Sequence, residues 1–194
     1  MNLVDVHCHL SHEKYKQDLD KILENAARAG VKRIITSGVN PATNREVLEI
    51  AKMHSDIVRC TLGIYPIDAL NLPPEKQELE YGLSRGGFFD VDAELKFIEQ
   101  NKEKIVGIGE AGLDYKFIKE EALIKKQKEN FQKVIALCEK IKKPLVVHSR
   151  SAEKDCVEIL QSSRIKNIVL HCFEGRKNII KMAADAGMNA LPGP

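Results

Sequence analysis

Residues 144–172 read PLVVHSRSAEKDCVEILQSSRIKNIVLHC: a short apolar run, a stretch with helical spacing, and a second short apolar run. Pro144 to Val147 and Asn167 to Leu170 are short, β-branched and bounded by polar residues, as buried strands are, whereas residues 151–162 repeat apolar side chains every three to four positions. Strand, helix, strand in this order predicts a parallel βαβ unit. Both strands end in a histidine, His148 and His171.

The same alternation extends in both directions. Strands are predicted over 2–7, 31–37, 57–62, 105–108 and 188–191, and helices over 15–29, 43–54, 91–100, 120–141 and 176–186. The least regular part, 65–92, contains Pro73-Pro74 and Gly86-Gly87; it predicts a long loop with a short helix near 75–83, in a position suited to an active-site cover. No linker or low-complexity segment divides the chain, so one α/β domain is expected. A (β/α)₈ barrel typically needs about 250 residues and can run down to roughly 200, so this chain of 194 is short for one.

Composition excludes little. Thirty Lys and Arg against 28 Asp and Glu give a net charge of +2, which neither demands nor rules out a nucleic-acid partner and leaves room for a local phosphate site. Five cysteines without staple-like spacing read as reduced thiols in a cytoplasmic protein. Neither an apolar run of membrane-spanning length nor a signal peptide is evident, and no membrane association is expected.

Metal-binding side chains gather at the strand ends. His7 and His9, one residue apart in a strand, point to the same face and can approach one ion; alone, such a pair could equally be solvated or core. Glu110 follows Gly107 and Gly109, and its two oxygens could bridge two ions. With His148 and His171 the set mixes imidazole and carboxylate, which suits Zn, Fe, Ni, Co or Mn. Cys8 and Cys172 alternate to the other face as packing residues.

Around these lie less specific candidates. Asp5 shares the parity of His7 and either orients an imidazole or caps a buried polar network. Asp114 either positions Glu110 or a water, or stabilises a turn. Arg150, two positions after His148, points to the same mouth, either to bind a phosphate or to form a surface salt bridge. Two ions sharing a site would activate water and offset charge on a phosphoryl group, so no serine or cysteine nucleophile is required.

DVHCHL (5–10), GEAGLDY (109–115), VVHSR (146–150) and VLHCFEG (169–175), in this order, resemble the TatD family of metal-dependent deoxyribonucleases in the amidohydrolase superfamily. The resemblance implies a TIM-barrel fold and a cytoplasmic hydrolase that cleaves DNA phosphodiester bonds with metal-activated water. It implies two divalent ions per complete site, with Mg²⁺, Mn²⁺ or Zn²⁺ foremost. His7 and His9 would hold one ion, His148 and His171 the other, Glu110 would bridge them and carry the catalytic role, and Arg150 would contact the substrate phosphate. The family often has a histidine where GIYP here has Tyr65, a residue open to substrate contact or to ordinary loop packing.

The resemblance also implies an eighth strand ending in an aspartate that completes the first metal site, and the chain stops at ALPGP. The expectation is therefore a single domain over 1–194, C-terminally truncated, with about seven strands of an incomplete barrel. Neither Asp185 nor Glu174 is placed to replace that aspartate. Open barrel edges would then invite self-association, and the alternative to an active nuclease is a catalytically impaired remnant with a metal-binding, nucleic-acid-binding or structural role.

Overall fold

A computed structural model of the chain describes residues 2–72 and 87–191. Seven strands, β1 (Leu3–Cys8), β2 (Val31–Ser37), β3 (Val58–Leu62), β4 (Gly107–Asp114), β5 (Leu145–Arg150), β6 (Ile168–Leu170) and β7 (Asn189–Ala190), form one sheet in sequential order. Every neighbouring pair is parallel. The helices are α1 (Leu19–Arg28), α2 (Pro41–Met53), α3 (Val91–Gln100), α4 (Glu121–Ile141), α5 (Glu153–Gln161) and α6 (Lys177–Asp185). This is the α/β, TIM-barrel-like architecture expected; the helix anticipated near 75–83 lies outside the described residues.

Local chemistry sets the helix ends. Asn40 accepts from the Thr43 amide, the Thr43 hydroxyl accepts in return from the Asn40 amide, and Pro41 occupies the first turn, which together fix the start of α2. Asp90 caps α3 by accepting from the amides of Asp92 and Ala93. α4 ends where Lys142 turns into the left-handed region at φ 56°. α1 begins at Leu19 rather than near Tyr15, because residues 13–15 form a separate 3-10 turn whose N-cap, His12, accepts from the Lys14 amide.

Alternation along the strands divides their side chains between two environments. Leu145 and Val147 of β5 enter a core with Phe131 and Val134 of α4 and Leu160 of α5, while Val146, His148 and Arg150 alternate to the other side. Burying each large apolar side chain of this core contributes about 1.5–3 kcal/mol. A second, smaller cluster joins Leu10, Leu23, Ile34, Ile50, Ile57 and Val58 beneath α1 and α2.

The largest departure concerns β4, expected to stop at Ile108 but running to Asp114 with all eight residues buried. Pairing with β5 sustains it, from Ala111 opposite Val147 to Asp114 opposite Arg150, after a register irregularity between Ile108 and Ala111. Glu110 therefore sits inside a strand, and Asp114 ends that strand instead of occupying a loop. Gly109 lies within the irregularity at φ 139°, a conformation that side-chain-bearing residues rarely adopt. Gly63, just past β3, lets the two backbones meet: a Cβ there would lie 2.3 Å from the carbonyl carbon of Gly109 and 2.4 Å from the backbone nitrogen of Glu110.

The sheet curls. The imidazoles of His7 on β1 and His171 after β6, from strands far apart in the sheet order, stack with centroids 4.0 Å apart. Among the described residues β1 pairs only with β2 and β7 only with β6, and Leu3, Val4 and Val6 of β1 are exposed. No helix among those residues is long and apolar enough to cross a membrane.

Candidate metal centre

Glu110, 4% exposed, occupies the middle of the concave side, and four imidazoles converge on its carboxylate. Oε2 lies 3.3 Å from Nε2 of His7 and 3.2 Å from Nε2 of His9. Oε1 lies 2.7 Å from Nδ1 of His148 and 2.8 Å from Nε2 of His171. Each oxygen thus serves one histidine pair, and the two triads, His7–His9–Glu110 and Glu110–His148–His171, each present ligand atoms close enough to share an ion.

The ring orientations fit a cation. Nδ1 of His9 lies 3.1 Å from the carbonyl oxygen of Ser37, which can only accept, so Nδ1 carries the hydrogen and the lone pair of neutral Nε2 faces Glu110. Nε2 of His7 is buried without a hydrogen-bond partner beside the same carboxylate oxygen. Lone pairs facing an ionised oxygen at this range repel unless a proton or a metal ion lies between them. A tetrahedral ion with bonds of 2.0–2.1 Å keeps its ligands about 3.3 Å apart, close to the His7 and His9 distances from Glu110.

The charges respond to this crowding. Burial would raise the pKa of Glu110, but the charge of His171 and hydrogen bonds from His148 and His171 hold it well below the usual carboxylate range. Burial would lower His148, yet its hydrogen bonds to Asp114 and Glu110 outweigh that and push it up to about 9. His9 is raised because Glu110 overcomes burial, while for His7 burial wins and the pKa falls.

Other sequence candidates take defined places. Asp114 touches His148 rather than Glu110: Oδ2 accepts from Nε2 of His148 at 3.0 Å and from the Tyr65 hydroxyl at 3.1 Å. Tyr65 packs edge-on against His148, with centroids 4.8 Å apart, so it belongs to this network and not merely to a loop. Arg150 ends β5, half-buried, its guanidinium carbon 5.9 Å from the Phe117 ring centroid. Asp5 does not reach an imidazole: Oδ1 accepts from the backbone amide of His7 at 3.1 Å. The β1–β2 ladder shifts register between Asp5 and Cys8, so simple alternation does not carry from Asp5 to His7.

Cys8 packs against the smaller core, as expected, and burial pushes its thiol up to about 12. Cys172 is exposed instead of packed, because β6 ends at Leu170 and Cys172 sits in a turn at φ 46°. Asp185 bonds Lys181 on the exposed face of α6, away from the histidines.

Ser37, absent from the sequence candidates, orients both N-terminal histidines. Its hydroxyl lies 3.1 Å from Nδ1 of His7 and 2.8 Å from the Thr61 hydroxyl, while its carbonyl holds His9. Gln127 was also missed: its side chain accepts from the Asp114 amide at 2.8 Å and donates to the Asp114 carbonyl at 3.0 Å. A serine at the end of β2 and a glutamine on the otherwise core-facing side of α4 were the available signals.

The family profile described as TatD related DNase matches residues 4–190. The human protein named Deoxyribonuclease TATDN3 is 30% identical over 189 residues, covering 96% of this chain and 66% of that protein. The Bacillus subtilis protein named Uncharacterized metal-dependent hydrolase YabD is 31% identical over 183 residues, covering 92% of this chain and 64% of that protein. The crystal structure of YJJV, a TatD homolog from Escherichia coli K12, superposes with a TM-score of 0.77 at 22% identity, covering 97% of this chain and 66% of that one, a likeness that speaks for the fold alone. The chain spans just under two thirds of the length of these curated relatives.

Proposed function

The chain belongs to the TatD-related DNase family, and on that footing we propose that it is a divalent-metal-dependent hydrolase that cleaves DNA phosphodiester bonds. The observation that carries this reading is the division of Glu110, one oxygen to His7 and His9 and the other to His148 and His171. Such a carboxylate is suited to bridge two cations, and the all-nitrogen-and-oxygen donor set suits Zn²⁺ or Mn²⁺, with Mg²⁺ as the oxygen-seeking alternative. Divalent ions bound there would lower the pKa of a water and offset charge developing on phosphoryl oxygens.

The protein's own groups do the rest. Glu110 is ionised and buried, so it holds its position between the two histidine pairs without further ordering. Ser37 fixes His7 and His9, and Asp114 fixes His148. Arg150, at the C-terminal end of β5, supplies a planar cationic fork for a substrate phosphate. Tyr65, already directed toward Asp114, would shape the wall beside that phosphate rather than meet a base alone.

The two triads differ in enclosure. His148 is the least exposed of the four histidines and His9 the most exposed. This supports firmer metal retention by the His148–His171 pair. One continuous sheet supports a single domain over residues 1–194, and five free thiols accord with a reducing cytoplasmic location.

Incubation of the purified chain with an end-labelled DNA oligonucleotide and Mg²⁺, Mn²⁺, Zn²⁺ or Co²⁺ tests the proposal. Cleavage in at least one metal, abolished by a chelator, is the expected result. A second reading, metal or nucleic-acid binding or a structural role without turnover, draws on β1, which among the described residues pairs only with β2 and exposes Leu3, Val4 and Val6, a surface suited to self-association. Tight Zn²⁺ binding with an intact oligonucleotide under every metal would select that second reading.

A further inference from the structure

His148 is held at both ring nitrogens, each by a carboxylate oxygen. Nδ1 faces Oε1 of Glu110 at 2.7 Å, where His171 also arrives, and Nε2 faces Oδ2 of Asp114 at 3.0 Å. An imidazole that ligates through Nδ1 must keep its hydrogen on Nε2. A competing donor stands nearby, because the Tyr65 hydroxyl oxygen is 3.4 Å from Nε2. Were that hydroxyl to donate to Nε2, the ring hydrogen would move to Nδ1 and block the ligand position.

Asp114 removes this choice. Its two oxygens are met by groups that can donate, the Tyr65 hydroxyl, the Lys116 amide and Nε2 of His148, and a carboxylate oxygen accepts. Oδ2 therefore takes hydrogens from both Tyr65 and Nε2, while Oδ1 takes the Lys116 amide at 2.9 Å. The residue cannot swing away: Gln127, fully buried, grips its backbone amide and carbonyl together.

We propose that Asp114, anchored by Tyr65 and Gln127, is a positioning residue that keeps the ring hydrogen of His148 on Nε2 and so presents Nδ1 to a divalent cation shared with Glu110 and His171. The inference rests on the metal-site reading above and assigns a task to Tyr65, at a position where the family resemblance leads one to expect histidine. A tyrosine hydroxyl can donate to Asp114 without offering the carboxylate a second cation, so the hydrogen-bond direction is set by chemistry at both ends.

The test is long-range ¹H–¹⁵N correlation of histidine-labelled protein titrated with Zn²⁺, with Zn²⁺ affinity measured by chelator competition. In the wild type, His148 is expected to show a hydrogen on Nε2 and a metal-shifted Nδ1. Asp114→Asn, which keeps the shape but can offer an N–H to Nε2, is expected to populate the other tautomer and to weaken Zn²⁺ binding about 10- to 100-fold. Tyr65→Phe leaves the carboxylate in place and is expected to keep the tautomer with a smaller loss.

A wild-type spectrum with the metal on Nε2 of His148 overturns the inference without needing any variant. So does Asp114→Asn with an unchanged tautomer and unchanged affinity. Absence of any Zn²⁺ effect on the histidine rings overturns the metal-site reading itself, and this inference with it, which separates the two failures.

Discussion

The hydroxyl of Ser37 lies 3.1 Å from Nδ1 of His7, and the carbonyl of the same residue lies 3.1 Å from Nδ1 of His9. One residue on β2 thus aims two imidazoles, one on β1 and one just past its end, at a single carboxylate oxygen. Ser37→Ala removes the hydroxyl and spares the carbonyl, so His9 stays aimed while His7 loses its anchor. Metal affinity at the His7–His9 pair is expected to fall about tenfold, with the His148–His171 pair unchanged. The orphaned Thr61 hydroxyl should cost about 1 kcal/mol of stability. Stepwise metal titration by calorimetry and a urea melt of the metal-free protein check the two parts.

Glu110→Gln preserves the side-chain shape but exchanges one acceptor oxygen for a donor amide, which can bridge neither two cations nor two histidine pairs. Oligonucleotide cleavage is expected to drop by at least about 100-fold, since both histidine pairs lose their shared ligand. Metal stoichiometry, measured by atomic emission after desalting, should fall in parallel. Retained turnover would remove Glu110 from its proposed role.

The raised pKa values of His148 and His9 give metal uptake a defined pH dependence. At neutral pH metal-free His148 holds two ring hydrogens between Glu110 and Asp114, and a cation must displace the one on Nδ1. Binding should therefore release protons and weaken as pH falls. Calorimetry in buffers of different ionisation enthalpy measures the release. In the metal-free protein the sign reverses: His148 is raised from 6.5 to about 9, so its stabilising contribution is complete below 6.5 and disappears as pH rises through about 9. The Tm of chelated protein should carry this loss between those limits, and zinc-loaded protein should not.

Self-association through β1, which among the described residues pairs only with β2, predicts a specific effect of charge. Val4 is 55% exposed on that strand, and a lysine on an exposed edge opposes pairing with another chain. Val4→Lys is expected to shift a mixed population toward monomer in light scattering coupled to size exclusion, with Zn²⁺ affinity unchanged. An unaltered distribution would move any association to a different surface.

The clustering of the four histidines and most of the strand order were legible because short apolar runs end abruptly in a side chain that does not belong in a core. Glu110 was legible as a candidate ligand but not as a residue inside a strand, since GEAGLD lacks the β-branched content that marks strands and depends on β5 for its pairing. Ser37 was hidden for another reason: its partners lie 30 and 28 residues away, and a strand-terminal serine has no local feature that announces them. Asp5 meets the backbone amide of His7, a contact that simple alternation does not foresee because the β1–β2 ladder shifts register there.

Gly63 extends that lesson to the backbone. It carries no functional group, yet a Cβ at this position would fall 2.4 Å from both the nitrogen and the carbonyl oxygen of Glu110. None of these atoms is the end of a flexible side chain, so β3 or β4 has to move. Gly63→Ala should destabilise the fold by about 1–3 kcal/mol, the usual cost of overpacking. Because the displaced strand carries Glu110, the displacement reaches the site as well. Metal affinity should fall even under conditions where circular dichroism shows the variant folded, whereas Gly87→Ala, at a position with open space around its would-be Cβ, should leave both stability and affinity unchanged. Equal metal affinity in the two variants would mean that Glu110 is placed by its histidines rather than by the approach of β3.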